Sequence, residues 1–191
     1  MAERKGRKGA ETRVRLLDAT QELLESGGYF GAGLNQVIAA GNAPRGSLYF
    51  HFPGGKDQLV AESVRRAGTA IGTALADLAD SAPTAEAMVE SVLTFLGERL
   101  ESSGWRKGCP VATVALEMAA DNDALQEACA EVYASWEAAL RARLDGRPGA
   151  DDLAVTILAM VEGALVLARA RRSREPLERV GRQAKALLAR T

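Results

Sequence analysis

Histidine is nearly absent from this chain: His51 stands alone among 191 residues. One imidazole excludes a histidine-rich metal site, and it gives little support to a Ser/His/Asp catalytic set. An acid/base pair built from Asp or Glu stays open. Cysteine is almost as scarce. Cys109 and Cys129 lie far apart, form no CxxC and match no zinc spacing. Only Lys107 lies near Cys109, and no basic residue flanks Cys129, so both read as small packing residues more readily than as redox sensors. Also missing are an apolar run of the roughly 20 residues that a membrane span needs, and an apolar segment behind the basic start that would make a signal peptide. No Walker loop occurs, and no GxGxxG follows a strand. The expectation is a cytoplasmic protein that is not an enzyme and carries neither metal nor cofactor.

What is present begins with 47% apolar residues, enough for a packed core. The net charge of −1 hides an asymmetry. Arg4, Lys5, Arg7, Lys8, Arg13 and Arg15 crowd the start, whereas Glu117, Asp121, Asp123, Glu127, Glu131 and Glu137 dominate the middle. A basic end on an otherwise acidic chain suits a polyanion partner, and a solvated tail gives the same composition.

The hydrophobic periodicity is helical throughout, with no convincing strand alternation and no internal repeat. Leu17, Ala19, Thr20, Leu23 and Leu24 form a first stripe that Gly27-Gly28 stops. Two short units follow, Leu34 to Gly41 and Arg45 to His51. Pro53-Gly54-Gly55 then breaks the chain before a long segment from Lys56 to about Ala79. Longer helices follow around 88–100, 111–118, 125–144, 153–168 and 176–188. Asp123 with Gln126 offers a capping box for the third of these.

The two short units carry the most information. In LNQVIAAGNAPRGSLYFHF, Val37 and Ile38 can face a core from the first helix, and Leu48 and Phe52 from the second. The turn needs a residue that tolerates positive φ, and Gly41-Asn42 supplies two such residues. Pro44 pre-sets φ for the second helix. That helix would present Arg45, Gly46, Ser47, Tyr49 and His51, which are small or hydrogen-bonding groups suited to a groove floor and phosphates. A plain helical hairpin in a core would use the same turn.

APRGSLYFHFPGGKDQL closely resembles the recognition-helix signature of the tetracycline-repressor (TetR) family, and the turn proline, PRGSLY and FPGGK resemble its LmrA/YxaF-like branch. LLDATQELLESGGY resembles the family's first helix. GCPVATVALE and EGALVLARARRSREPLERV resemble the branch's ligand domain. The resemblance implies an all-α fold of about nine helices: a three-helix helix-turn-helix domain over 1–55, with 1–10 a disordered basic arm, and a ligand-binding and dimerisation domain over 56–191. It places Arg45, Gly46, Ser47, Tyr49 and His51 on the recognition helix, and Lys56 at a phosphate from the start of the fourth helix. Gly33 and Asn35 join this DNA-facing set with Arg4, Lys5, Arg7 and Lys8. Gly33 departs from a frequent family Thr and so lacks its hydroxyl, while Asn42 replaces a usual Gly and can adopt the same conformation.

In the second half, Phe95, Trp105, Val111, Val114, Met118, Tyr133, Trp136, Met160 and Glu162 are either core or the lining of a ligand cavity. Glu117 reads as an exposed face residue. Arg169, Arg171, Arg172 and Arg174 read as a solvated run that complements a helix dipole. Ala154, Ile157, Val161, Ala164, Leu165, Ala168, Leu177, Val180, Ala184 and Leu187 are expected to build a two-fold dimer face from the last two helices. The function expected is a homodimeric regulator, a repressor, that binds a palindromic DNA operator and is released by a small amphipathic or aromatic effector. A regulator without an effector and an architectural DNA-binding protein are the alternatives.

Overall fold

The computed structural model describes residues 2–190, with side chains from Gly9 to Arg190. Among the described residues there are nine helices and no strand. They are α1 (Ala2–Gly31), α2 (Leu34–Ala40), α3 (Arg45–His51), α4 (Gly55–Ser81), α5 (Ala85–Ser102), α6 (Pro110–Met118), α7 (Asp123–Arg143), α8 (Ala150–Arg171) and α9 (Glu175–Leu188). α1 begins at Ala2, where a disordered arm was expected. Ala2, Glu3, Arg4 and Lys5 are good helix formers continuous with the amphipathic stretch. The contacts expected of the Arg4, Lys5, Arg7 and Lys8 side chains lie outside the described residues.

Two compact units make up the chain. The first comprises residues 1–68 and 110–131, the second 69–109 and 132–191. The packing therefore does not follow the division expected at residue 55: α6 and the start of α7 pack with the N-terminal helices. In the first unit, Leu16, Leu17, Val37, Leu48, Phe52 and Leu59 form one buried cluster. The second unit is built on α5, α8 and α9, with Leu93, Leu100, Leu153, Ile157, Leu177 and Leu188 at its centre.

Helix ends show where local chemistry decides. Thr84 caps α5, its hydroxyl accepting from the Ala87 N–H at 3.1 Å. α7 is capped by Asn122 and not by Asp123: the Asn122 side-chain carbonyl accepts from the Leu125 N–H at 3.1 Å. Either residue type serves as a cap, and only the chain path chooses between neighbours. α1 kinks at Gly28, whose φ of 66° and ψ of −165° are open to glycine, and resumes for one short turn.

α8 corrects two expectations. It is long and apolar enough, by length and composition, to cross a membrane, yet Asp151, Asp152 and Glu162 lie along it and its inner face packs on the core of its own unit. It also turns a different face outward from the one expected to dimerise. Ala154, Ile157, Ala164, Leu165, Ala168, Leu177 and Ala184 are buried within the chain. Val161, Val180 and Leu187 are half-buried against the same core. The outward stripe is Val155, Ala159, Gly163, Val166 and Leu167. Apolar residues on both sides of α8 hid this orientation, since a helix apolar all round has no single stripe to read.

Candidate nucleic-acid interface

Packing fixes which way α3 faces. Leu48 and Phe52 are fully buried in the core of the first unit, and Val37 anchors α2 beside them. The turn between the helices is tight for two separate reasons. Asn42 takes the left-handed conformation, with φ of 44°, as its side chain allows. Gly41, with φ of −76°, is there for space: a Cβ would come within 3.1 Å of the Val37 carbonyl and 3.2 Å of the Arg15 carbonyl on α1. The turn survives the replacement of glycine by Asn42, but the two residues do different work. Pro44 caps α3 from an extended conformation.

With Leu48 buried, the opposite side of α3 is open. Arg45 and Gly46 are exposed, and a Cβ on Gly46 would meet nothing within 4 Å. Tyr49 is 61% exposed and Phe50 80% exposed, so among the described residues two large rings stand largely in solvent. Phe50 was not among the residues singled out. Its place in the run YFHF, next to an exposed Tyr49 and two residues before the buried Phe52, was the available signal. His51 is half-buried and meets Phe50 edge-on at 5.0 Å between ring centroids. The Ser47 hydroxyl donates to the Pro44 carbonyl at 2.6 Å, which leaves its oxygen free to accept. Asn35 is exposed on α2, and Gly33 precedes that helix with no side-chain cap; Gln36 folds back over it.

Behind this surface, a set of polar contacts fastens α1. The Glu117 carboxylate of α6 accepts from the Tyr29 and Phe30 N–H groups at 2.7 and 3.3 Å. It occupies the space that a Cβ on Gly28 would need. Glu117 is thus a backbone cap and not the free surface acid expected. The Tyr29 hydroxyl donates to Asp57 at 2.6 Å, and the Asn122 amide donates to the other Asp57 oxygen at 2.8 Å. Partial burial, then the hydrogen bond and charge of Asp57, push the Tyr29 hydroxyl up to about 12. Lys56 lies 3.8 Å over the Tyr29 ring, a cation–π contact. Burial lowers its pKa, and the carboxylates of Asp57 and Glu117 oppose that shift. Lys56 as a residue is half-buried at the start of α4.

Of the residues expected to line a ligand cavity, the second unit gathers Phe95, Trp136 and Glu162 around one apolar space. Tyr133 meets Trp136 edge-on at 5.7 Å, and Trp105 and Met160 pack against the core. Val111, Val114 and Met118 belong to the first unit, where Val111 and Val114 are fully buried. Their helix carries the apolar side inward as core, a role that spacing alone cannot separate from a cavity wall. Cys129 is buried, its thiol meeting the Val111 carbonyl at 3.7 Å, and desolvation pushes it up to about 11, away from reactivity.

A buried anchor, a tight turn and an outward helix carrying an arginine and two uncovered rings define a helix-turn-helix DNA-binding protein. Residues 16–63 match the family described as "Bacterial regulatory proteins, tetR family", and residues 84–183 match "Transcriptional regulator LmrA/YxaF-like, C-terminal domain". The chain is similar to the HTH-type transcriptional regulator LmrA of Bacillus subtilis, with 33% identity over 87% of this chain and 91% of that protein. It is equally similar, 33% over 92% of this chain and 93% of the relative, to the uncharacterized HTH-type transcriptional regulator Rv0196 of Mycobacterium tuberculosis. Among solved structures, a TetR transcriptional regulator from Chloroflexus aurantiacus superposes with a TM-score of 0.82 at 27% identity, covering 96% of both chains. The regulator CifR, solved with a 26-base-pair operator DNA, superposes with a TM-score of 0.77 at 25% identity, covering 90% of this chain and 94% of its own. This chain belongs to the TetR family, in its LmrA/YxaF-like branch, and is a DNA-binding transcriptional regulator and not an enzyme.

Proposed function

We propose that the protein is a cytoplasmic, ligand-released repressor that binds a palindromic operator as a homodimer, with residues 1–55 as its DNA-binding domain and 56–191 as its effector and dimerisation domain. The observation that carries the reading is the outward face of α3, where Arg45, Tyr49 and Phe50 stand exposed while Leu48 and Phe52 hold the helix from behind. Arg45 reads a base edge in the major groove, with Ser47 and Phe50 beside it. Tyr49, His51, Asn35 and the backbone at Gly33 and Gly46 lie against the phosphates. Lys56 reaches a phosphate by leaving the Tyr29 ring, and Arg4, Lys5, Arg7 and Lys8 add sequence-independent attraction.

Two such heads need a two-fold partner, and the exposed α8 stripe of Val155, Ala159, Gly163, Val166 and Leu167 is an apolar surface suited to it. Half-sites then fall one helical turn apart or a multiple of it. An effector that prefers a different spacing of the heads lowers operator affinity by the ratio of its affinities for the two states. Repression follows because a bound dimer blocks polymerase. The test is selection of duplexes from a random pool by the full-length protein, followed by sedimentation of the complex. Recovery of a palindrome bound by two chains is expected. Recovery of no preferred sequence, or of single-chain complexes at micromolar protein, would sink the reading.

A further inference from the structure

The second unit holds an apolar cavity of about 440 Å³ between α4, α5, α7 and α8, with Met88, Val92 and Ile157 among its walls. A smaller compartment of about 50 Å³ adjoins it, and Leu75, Trp136, Leu158 and Val161 line both. The two differ in one respect that matters for chemistry. The charged groups of the large compartment, Asp80 and Arg143, are paired with each other at 2.5 Å. The small compartment contains Glu162, whose Oε2 is buried without a hydrogen-bond partner.

A buried polar atom with no partner, in a largely apolar space, costs free energy until a partner is supplied. Cys109 hydrogen-bonds the Glu162 side chain, and a thiol is a weak donor. Arg99 on α5 and Lys107 in the loop before α6 line the same compartment. No basic residue holds the Glu162 carboxyl down: desolvation raises its pKa, opposed only by Cys109.

We propose that this cavity takes a lipophilic base, a ligand whose apolar body fills the large compartment while its protonated amine reaches Glu162 through the shared wall at Trp136 and Val161. The inference rests on the effector reading above and narrows it to one ligand class. A cationic N–H donor gains a charge-assisted hydrogen bond at Glu162. A neutral alcohol of the same body gains only an ordinary one, and a carboxylate sets like charge against like. Binding the amine favours the ionised carboxyl, against the upward shift that desolvation gives Glu162. Affinity for the amine therefore rises with pH across the titration of Glu162, until the amine itself loses its proton.

The experiment uses the full-length protein, three ten-carbon probes below their aggregation limits, and calorimetry: decylamine, decan-1-ol and decanoate. The amine is expected to bind about tenfold or more tightly than the alcohol, and decanoate weakest. Glu162→Gln keeps the shape and removes the charge, so it should bring the amine to the level of the alcohol and leave the alcohol unchanged. Equal binding of amine and alcohol to the wild type, tighter binding of decanoate, or a preference for the amine that survives Glu162→Gln would overturn the proposal. If the alcohol or decanoate binds and weakens DNA affinity while the amine gains nothing, the effector reading stands and the ligand class is wrong. If no probe binds, the proposal falls, and an unchanged DNA affinity across a broad library of neutral and anionic amphiphiles would take the effector reading with it. Should Glu162→Gln unfold, Glu162→Leu should likewise abolish the preference for the amine over the alcohol, and a preference that survives it would overturn the proposal.

Discussion

The α2–α3 hairpin and α8 solve opposite problems with the same helical geometry. In the hairpin every position is committed: Leu48 inward, Arg45 outward, Gly41 in a space that admits no Cβ, Asn42 in a left-handed turn. α8 is permissive, with Ile157 and Ala164 packed inside and Val155 and Val166 left outside by the same apolar sequence. A surface that must match DNA is specified by backbone conformation and sparse polar groups. A surface that must bury area is specified by apolarity alone, and the fold decides which side is used.

The largest test of that contrast strikes the permissive helix. Val166→Asp places a charge on the exposed stripe and leaves the monomer core untouched. If this face pairs two chains, sedimentation should show monomers, and operator affinity should fall by roughly 10²–10⁴ as the avidity of two heads is lost. A variant that stays dimeric moves the interface off α8. Gly41→Ala asks the complementary question of the committed region. The added methyl meets two backbone carbonyls that cannot step aside, so unfolding should be easier by about 1–3 kcal/mol, read by urea titration. Arg45→Ala should leave stability unchanged and cost about 1–3 kcal/mol on the selected operator. An equal loss on random DNA would make Arg45 a phosphate contact.

The contrast also explains what was legible in the sequence. All nine helices and the hairpin were, because amphipathic stripes and Gly, Pro and Asn act over a few residues. The orientation of α8 was not, because both of its faces are apolar. The role of Glu117 was not, because its partners at Tyr29 and Phe30 lie 88 and 87 residues away. Whether Val111 and Val114 belong to a core or to a cavity wall is not legible either, since both demand the same residue type. Phe50 was overlooked because an exposed ring leaves no periodic trace.

Smaller effects sharpen the comparison within the second unit. Desolvation raises the pKa of Glu162 in the folded chain above the ordinary 4.5 of the unfolded one, with the Cys109 hydrogen bond opposing, which opens a window between the two values. The folded state therefore binds more protons in that window, and stability should fall as pH rises through it. Glu162→Leu should flatten that fall and raise the melting temperature at neutral pH. A steeper fall in the variant would mean that the carboxylate has a stabilising partner. The smallest effect belongs to the basic start. Removing Arg4, Lys5, Arg7 and Lys8 should reduce the log-log salt slope of DNA binding by about 0.9 for each phosphate that is no longer neutralised. An unchanged slope would show that these side chains meet no phosphate.

The link from Glu117 to Tyr29 has a consequence for the order in which the chain matures. The hairpin core draws on residues 16 to 59 and is complete once that stretch leaves the ribosome. The segment 110–131 that finishes the same compact unit emerges later, several seconds on at roughly 5–20 residues per second. During that interval the Tyr29 N–H lacks its acceptor, and Asp57 lacks the Asn122 amide. Closing a loop of 88 residues is slow compared with forming a local helical pair. Pulse-labelling hydrogen exchange during refolding should therefore find the amides of α2 and α3 protected first and that of Tyr29 protected in a later phase.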